Sequence, residues 1–257
     1  MIFAGIDIGS NTAKAALIKD RAIIGVRVIP TGYHHRKAGT RVFEELLDQI
    51  GLSRSKIRAV VSTGYGRASI DFADKAITEI LCHGAGAHFL NSNIRGIIDV
   101  GGQDSKAIAL DDQGQVDNFA MNDKCAAGTG RFLEVMANAL EVALDQMGAV
   151  GLTADNPSKI SSICTVFAES EVISMIARQE KRENIIAGIH EAAAARVAIL
   201  AAKIRIQGPV MMTGGVAKNP GMIAALEKRL NQALTISPYC QETGAIGAAV
   251  LASRLSA

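Results

Sequence analysis

Two short stretches pair an aspartate with glycine in a pattern that can bind magnesium and phosphate. The first is IDIGSNTAK, which contains Asp7, and the second is IDVGGQDSK, which contains Asp99. A carboxylate at the end of a buried strand can hold a hydrated Mg²⁺ ion, and a glycine two residues later lets the backbone approach phosphate closely. We therefore predict that Asp7 and Asp99 organise a hydrated Mg²⁺ ion.

Donors for phosphate oxygens follow both aspartates. Backbone N–H groups in these turns, with nearby hydroxyl and ammonium groups, can bind the terminal phosphates of a nucleotide. The residues predicted to do so are Ser10, Asn11, Thr12, Ala13, Lys14, Gly101 and Gly102, and Lys106 adds a positive charge. A single Asp-x-Gly turn is a common feature without a ligand, whereas two facing copies would hold a nucleotide from both sides.

A glycine bend in the stretch TGGVAKN, which begins at Thr213, is suited to close approach by a nucleoside. Gly214 and Gly215 are therefore predicted to lie against the nucleoside. Two other nucleotide motifs are absent from the sequence. There is no G-x-x-x-x-G-K-[ST], and GTGRFL has Leu133 where a dinucleotide-binding fingerprint needs glycine.

Two of the four cysteines, Cys125 and Cys164, each lie just ahead of a predicted helix. Free N–H groups and the helix dipole favour a thiolate there, and any anionic group bound to it. A 4Fe-4S cluster needs four thiolates, which a homodimer sharing Cys125 and Cys164 from each chain would supply. The spacing alone leaves two other interpretations open, because isolated cysteines are often small buried apolar residues and a zinc site satisfies the same count.

The composition excludes several classes of function. Lysine and arginine total 27 against 25 acidic residues, and the absence of a basic stripe gives no support for nucleic-acid binding. The most apolar stretch, 192–202, is interrupted by Arg196 and is too short for a membrane span. The N-terminal sequence MIFAGIDIGS does not resemble a signal peptide, so we expect a cytoplasmic protein without a membrane or nucleic-acid partner.

The aspartate stretches belong to a longer internal repeat. Six positions coincide when the sequence from Ile6 is aligned with that from Ile98, including Lys14 with Lys106. A second match aligns VVSTG, which ends at Gly64, with VMMTG, which ends at Gly214. The second copy contains 58 more residues between the two matches. The pattern predicts two similar lobes, 1–93 and 94–257, with an insertion at about 113–170 that carries the cysteines.

The predicted elements alternate between strands and helices, which indicates an α/β fold with sheets partly covered by helices. Residues 30–40 are basic and are read as a loop. A final helix rich in small residues, 243–254, could pack back on the first lobe. The predicted strands are 2–8, 13–18, 22–29, 58–62, 95–100, 105–110, 115–121 and 209–213, and the other predicted helices are 41–50, 74–90, 184–206 and 219–232.

The sequence resembles the activator ATPases (component A) of 2-hydroxyacyl-CoA dehydratases, in the BadF/BadG/BcrA/BcrD ATPase family. The stretches NDKCAAGTGRFLEVMA and SSICTVFAESEVIS are similar to the two cysteine segments of that family. GIDIGSNTAK, IDVGGQDSKAI and MTGGVAKN are similar to the phosphate-1, phosphate-2 and adenosine motifs of the actin, sugar kinase and Hsp70 ATPase superfamily. The resemblance implies two RNase-H-like lobes closing on Mg-ATP, with the cysteine helices inserted in the second.

The resemblance also implies an ATP-driven donor of single electrons in anaerobic metabolism. A reduced ferredoxin or flavodoxin would load one 4Fe-4S cluster per homodimer, ligated by Cys125 and Cys164. The chain would then deliver the electron to a CoA-thioester dehydratase or reductase as it hydrolyses ATP. Within the ATPase, Gln103 or Asp104 is predicted to orient the attacking water, and Lys218 and Gln241 to contact the nucleotide.

Two other functions are consistent with the motifs. A small-molecule kinase of the same superfamily would use an aspartate to deprotonate a substrate hydroxyl, and its ATPase would depend on that substrate and survive air. In a nucleotide-regulated scaffold the cysteines would serve only as packing residues. Replacing them with alanine would therefore leave the affinity for the partner intact. Iron and sulfide analysis after anaerobic purification distinguishes the three functions.

Overall fold

The computed structural model describes residues 1–161 and 164–255 and contains two five-stranded sheets. The chain divides into two compact units. Of the described residues, the first unit contains 1–97, 110–117 and those from 241 onward, and the second contains 98–109 and 118–240. The prediction of an α/β fold with two sheets is confirmed.

The first sheet has the strand order β3-β2-β1-β4-β5. Its strands are β1 (Ile2–Ile8), β2 (Thr12–Lys19), β3 (Ala22–Pro30), β4 (Ile57–Thr63) and β5 (Lys75–Ala76). The pairs β1–β2 and β2–β3 are antiparallel, whereas β1–β4 and β4–β5 are parallel. β1 is the central strand, and its last five residues are buried because helices cover both faces of the sheet there. The register of β1 and β2 places Asp7 opposite Lys14.

The second sheet has the equivalent order, β10-β9-β6-β7-β8. Its strands are β6 (Gly96–Val100), β7 (Ser105–Leu110), β8 (Val116–Asn122), β9 (Val210–Thr213) and β10 (Leu234–Ile236). Strands β6, β7 and β8 thus take the places that β1, β2 and β3 take in the first sheet. The two short parallel strands at the ends of the sheets, β5 and β10, were absent from the sequence prediction.

The described residues contain eight α-helices. They are α1 (His35–Ile50), α2 (Glu79–Leu90), α3 (Gly130–Ala139), α4 (Met147–Gly151), α5 (Thr165–Ala177), α6 (Arg182–Ile204), α7 (Pro220–Leu230) and α8 (Thr243–Arg254). One helix, α1, joins β3 to β4. Four helices, α3 to α6, join β8 to β9 at the equivalent point of the second sheet, and both Cys125 and Cys164 lie in this longer connection.

The helix α1 begins earlier than predicted, because residues 35–40 are helical rather than loop. Its inner face buries Val42, Phe43 and Leu46 in the core of the first unit. Gly39 continues that face, since a β-carbon there would stand 2.2 Å from Cδ1 of Ile70. The basic residues that suggested a loop lie on the outer, exposed face of the same helix.

The final helix α8 packs in the first unit, against α2 and β1. Glycine allows this close packing, because a β-carbon on Gly247 would stand 1.7 Å from the carbonyl oxygen of Cys82. A β-carbon on Gly5 of β1 would stand 2.0 Å from the carbonyl oxygen of Ala245. The contacts therefore group α8 with residues 1–97, the part of the chain on which the sequence analysis allowed this final helix to pack.

The long helix α6 forms much of the core of the second unit, through residues such as Ile186, Ile189 and Val197. By length and composition it is the one helix among the described residues that could cross a membrane. Of its apolar window, 56% is buried inside the structure. Core helices of soluble proteins have the same property, so the helix is weak evidence for a membrane span.

Candidate functional site

The first aspartate turn lies at the end of the central strand β1. Asp7 is buried, and its Oδ2 forms an ion pair with Nζ of Lys14 on the neighbouring strand, at 3.1 Å. The backbone N–H of Gly9 donates to the carbonyl of Thr12 at 3.0 Å, which closes the turn around Ser10 and Asn11. Ala13 is fully buried, so only its backbone is available to a ligand.

The second aspartate turn has the same hydrogen bonds at the equivalent positions. Gly101 donates its N–H to the carbonyl of Asp104 at 2.9 Å. Asp99 is buried, and its Oδ2 lies 3.2 Å from Nζ of Lys106, which is only 3% exposed. The ammonium group of Lys106 also binds Oδ2 of Asp104 at 2.8 Å. The two turns are therefore structural equivalents, each with a carboxylate held by a lysine.

Gln103 and Asp104, the two candidates for orienting water, have different surroundings. Asp104 is engaged by the buried lysine, whereas Gln103 is exposed at the tip of the turn. The ion pairs of the buried ammonium group fix the positions of Asp99 and Asp104. The side-chain amide of Gln103 is therefore accessible to water, whereas Asp104 is held against Lys106.

A Thr-Gly pair lies against each aspartate, in the same unit. Thr213 Oγ1 donates to Oδ1 of Asp99 at 2.8 Å. Gly214 has φ +88°, and a β-carbon there would stand 2.3 Å from the carbonyl oxygen of Val100. In the first unit, a β-carbon on Gly64 would stand 2.3 Å from Oδ1 of Asp7. Only glycine fits at these two positions, because of both the positive φ and the close approach.

Other predicted nucleotide residues lie around these turns. The side-chain amide of Gln241 approaches Oγ1 of Thr12 at 3.5 Å, so Gln241 belongs to the first aspartate turn. Gly215 and Lys218 are exposed at the two ends of a single 3₁₀ turn, Gly215–Lys218, which follows β9. Sequence reasoning missed Glu242, whose Oε2 is buried with no hydrogen-bond partner among the described residues. Such an oxygen is available to accept a hydrogen bond from a ligand.

The four cysteines fall into two classes. Cys125 and Cys164 are exposed, whereas Cys82 and Cys240 are buried. Burial raises the pKa of Cys82 to about 12, so this residue remains a neutral thiol and is unsuited to bind a metal. The exposed pair is therefore the one available to a ligand. Within the described residues, no group of three or more His, Cys, Asp or Glu side chains could hold a metal ion in one chain.

The prediction that both exposed cysteines start helices is correct for one of them. Cys164 is the N-cap residue of α5, and its carbonyl accepts the N–H of Ala168 at 2.9 Å. Cys125 lies in a loop, five residues before Gly130 begins α3. The first two N–H groups of α3 are not available to this thiol. Gly130 and Arg131 donate them to the carbonyls of Gly101 and Gly102, both at 2.8 Å.

Exposed apolar side chains surround the cysteine-bearing elements. Helix α5 buries Ala168, Val172 and Met175 on its inner face. Its outer face exposes large apolar side chains directly after Cys164. These are Val166, Phe167, Ile173 and Ile176, and β8 adds Phe119 and Met121 shortly before Cys125. Val166 and Phe167 are 65% and 67% exposed, which is unusual for adjacent apolar residues on a helix.

The repeated sheet order and the repeated aspartate turns are those of the actin-like class of ATPases. The chain belongs to the BadF/BadG/BcrA/BcrD ATPase family, whose model matches residues 4–252. The family and the ATPase class predicted from the sequence are thereby confirmed.

Individual relatives match over nearly their whole length. The activator of lactoyl-CoA dehydratase from Anaerotignum propionicum is 47% identical over 98% of this chain and 97% of its own. Component A of the (R)-2-hydroxyglutaryl-CoA dehydratase from Acidaminococcus fermentans has a TM-score of 0.97 at 42% identity, with 100% and 99% of the chains covered. The activator of 2-hydroxyisocaproyl-CoA dehydratase from Clostridium difficile, solved with bound ADPNP, has a TM-score of 0.94 at 44% identity, with 100% and 96% covered.

Proposed function

We propose that this protein is an ATP-dependent activator that donates single electrons to a 2-hydroxyacyl-CoA dehydratase or a related CoA-thioester reductase. The observation that carries the proposal is the exposure of Cys125 and Cys164 in a chain of this ATPase family, whose other two cysteines are buried. The named activators among its relatives support a dehydratase as the client. One electron enters from a reduced ferredoxin or flavodoxin, and it leaves to the client as ATP is hydrolysed to ADP and phosphate.

The two exposed thiols fit a cluster shared between two copies of the chain. A 4Fe-4S cluster takes four thiolates, and each copy supplies Cys125 and Cys164. The N-terminus of α5 lies at Cys164, where free N–H groups and the helix dipole favour a thiolate ligand. When bound, the cluster stores and transfers one electron. No single chain provides enough ligands among its described residues, which favours the homodimer.

The outer face of α5 supports the same assembly. Phe167, three residues after the proposed ligand Cys164, and Ile173, further along the same helix, are both exposed, so an isolated monomer would leave them in water. A second copy, brought close by shared ligands, covers apolar surface on both chains at once. We assign α5 and the end of β8 to the contact between the two copies.

The ATPase chemistry belongs to the two aspartate turns. Asp7 and Asp99 organise the hydrated Mg²⁺, and Gln103 orients the attacking water. Lys14 and the buried Lys106 hold the two carboxylates in position through ion pairs. The residues assigned to phosphate are Ser10, Asn11, Thr12, Ala13, Lys14, Gly101 and Gly102, and those assigned to the nucleoside are Gly214, Gly215, Lys218, Gln241 and Glu242.

Glu242 is assigned to the nucleoside because of its buried oxygen without a partner. A ribose hydroxyl is a donor that satisfies such a carboxylate oxygen. Gln241, the adjacent residue, already lies at the first aspartate turn through Thr12. Within the first unit, Glu242 is thus assigned to the nucleoside, and the adjacent Gln241 lies at the turn assigned to phosphate.

Anaerobic purification followed by iron, sulfide and absorbance measurements tests the proposal. We expect four irons and four sulfides per dimer and an absorbance band near 400 nm, which follow from one cubane cluster. Cys125→Ser and Cys164→Ser should each lose the cluster, whereas the matched variant Cys240→Ala should keep it, because Cys240 is buried. A colourless, metal-free protein would contradict the proposal.

The same preparations distinguish the alternatives. A small-molecule kinase would be metal-free and would hydrolyse ATP only with its acceptor substrate. A scaffold would be metal-free and would bind its partner unchanged after both cysteine substitutions. A cytoplasmic donor of electrons should instead reduce a dehydratase component only when ATP, dithionite-reduced protein and both cysteines are present.

A further inference from the structure

The side chain of Asn122, at the end of β8, holds the loop that carries Cys125. The amide nitrogen of Asn122 donates to the carbonyl of Cys125 at 2.7 Å and to the carbonyl of Ala127 at 3.3 Å. Its Oδ1 accepts the backbone N–H of Cys125 at 3.2 Å. Both hydrogen-bonding groups of the side chain are thus used on the Cys125 loop, which has no regular secondary structure of its own.

The other end of the loop is closed onto the start of α3. Thr129 is fully buried, and both its N–H and its hydroxyl donate to the carbonyl of Ala126, at 3.0 Å and 2.7 Å. Gly128 has φ +83°, which a side chain would strain, and a β-carbon there would stand 2.9 Å from Cβ of Arg196 on α6. Residues 125–129 are therefore a compact segment rather than a free linker.

The start of α3 is in turn bonded to the second aspartate turn. The N–H groups of Gly130 and Arg131 donate to the carbonyls of Gly101 and Gly102 at 2.8 Å each. Gly130 also packs closely there, since a β-carbon on it would stand 3.0 Å from the carbonyl oxygen of Gly101. A shift of the Gly101–Gly102 backbone must therefore move the first turn of α3 or break two hydrogen bonds.

We propose that Asn122 is a positioning residue that couples Cys125 to the Gly101–Gly102 turn. The inference rests on the proposed function, in which that turn binds phosphate and Cys125 is a cluster ligand. Movement of the turn passes to α3 through two backbone hydrogen bonds and to residues 126–129 through Thr129. Asn122 then fixes the position of Cys125 relative to that segment. All of these residues belong to the second unit.

The test uses the reactivity of Cys125 in metal-free protein, so it does not depend on the cluster. In a Cys164→Ser background, Cys125 is the one exposed cysteine, because Cys82 and Cys240 are buried. The rate of its alkylation by iodoacetamide is measured by mass spectrometry without nucleotide, with Mg-ADP and with Mg-ADPNP. We expect the two nucleotides to give different rates. Asn122→Ala should raise the basal rate about fivefold, the factor for one net hydrogen bond, and should remove the difference between nucleotides.

Two further variants separate hydrogen bonding from packing. Asn122→Asp keeps the shape but replaces the donor with an acceptor that repels both carbonyls, so it should behave like Asn122→Ala. Asn118→Ala is the matched control, because Asn118 lies exposed on the same strand and its Oδ1 accepts only the N–H of Phe119 among the described contacts. Thermal melting and nucleotide affinity report whether each variant is folded.

The outcomes are distinct for this inference and for the proposed function. A nucleotide response that persists in Asn122→Ala, or that is absent from the parent protein, overturns the coupling through Asn122. Iron and sulfide analysis of anaerobic preparations with Cys164 restored reports separately on the cluster. If these contain no metal but Cys125 responds to nucleotide through Asn122, the coupling stands and the electron-transfer function fails.

Discussion

At the scale of single residues, His190 shows how burial changes the protonation of a side chain in the second unit. His190 lies in α6 and is 2% exposed, and its Nε2 contacts the side-chain amide of Asn219 at 3.2 Å. The Oδ1 of Asn219 accepts the N–H of Met222, so Asn219 caps α7 and presents its NH₂ group to the imidazole. His190 is therefore the acceptor, which requires a neutral ring. Burial lowers its pKa from 6.5 to about 4.

The depressed pKa of His190 predicts a loss of stability in acid. Between pH 6.5 and pH 4 the unfolded chain binds a proton at this residue and the folded chain does not, so the free energy of unfolding decreases as the pH falls through that range. From pH 7 to pH 5 the loss should be about 2 kcal/mol. Urea unfolding at the two pH values measures it.

The variant His190→Gln isolates this contribution. It retains a polar side chain that can accept from Asn219, but it cannot titrate. We expect it to be less stable than the parent protein near pH 7, because packing changes, and to lose about 2 kcal/mol less on transfer to pH 5. Equal losses in the two proteins would show that His190 is protonated in the folded state or that another group controls the transition.

At the scale of elements, α5 has two faces with different roles. Ala168, Val172 and Met175 fix it to the core of the second unit, while Phe167 and Ile173 face outward. We expect Phe167→Glu and Ile173→Glu to weaken the homodimer at least about tenfold, because each places a charge in an apolar contact. Sedimentation velocity of the anaerobic protein over a range of concentrations measures the change.

A matched substitution controls for the effect of a new surface charge. Leu81 on α2 is 48% exposed and belongs to the first unit. Leu81→Glu should therefore leave the dimer intact. If Phe167→Glu and Leu81→Glu give the same sedimentation profile, α5 does not lie in the contact between the copies.

The helices and strands differ in how well the sequence predicts them. Long apolar segments such as β1, β2 and α6 were predicted within a few residues, because a buried strand or helix must be apolar along its whole inner face. The start of α1 was missed because its first turn exposes basic residues, and the inward Ala38 and Gly39 are too small to give an apolar period. The strands β5 and β10 contain two and three residues, too few for any period.

Candidate site residues could be named from the sequence where chemistry dictates residue type, but not where a role depends on three-dimensional contacts. Asp7 and Asp99 are identifiable because the Asp-x-Gly turn occurs twice. The role proposed for Asn122 depends on which carbonyls its amide reaches, and the role proposed for Glu242 depends on a burial that no local pattern encodes. The wrong prediction for Cys125 has the same origin, since the point at which α3 begins is set by the carbonyls of Gly101 and Gly102.

At the scale of the whole molecule, duplication has produced two turns with the same internal hydrogen bond and the same lysine–carboxylate pair. Gly9 and Thr12 in the first unit are the equivalents of Gly101 and Asp104 in the second. Two equivalent turns can serve two separate ligands or one shared ligand. Kinetics distinguishes these possibilities, because residues that act on one ligand are strongly non-additive when removed together.

We expect Asp7 and Asp99 to act on a single Mg-ATP. Asp7→Asn and Asp99→Asn should then each lower the kcat of ATP hydrolysis by about 100-fold, and the double variant should be only slightly worse than either. Two independent sites would instead leave each single variant with about half of the activity. The matched controls are Asp20→Asn and Asp112→Asn, which occupy equivalent positions in the two repeats and are 74% and 91% exposed at their side chains. Their single and double variants should keep full activity, so a loss specific to the Asp7 and Asp99 pair assigns both repeats to one catalytic event.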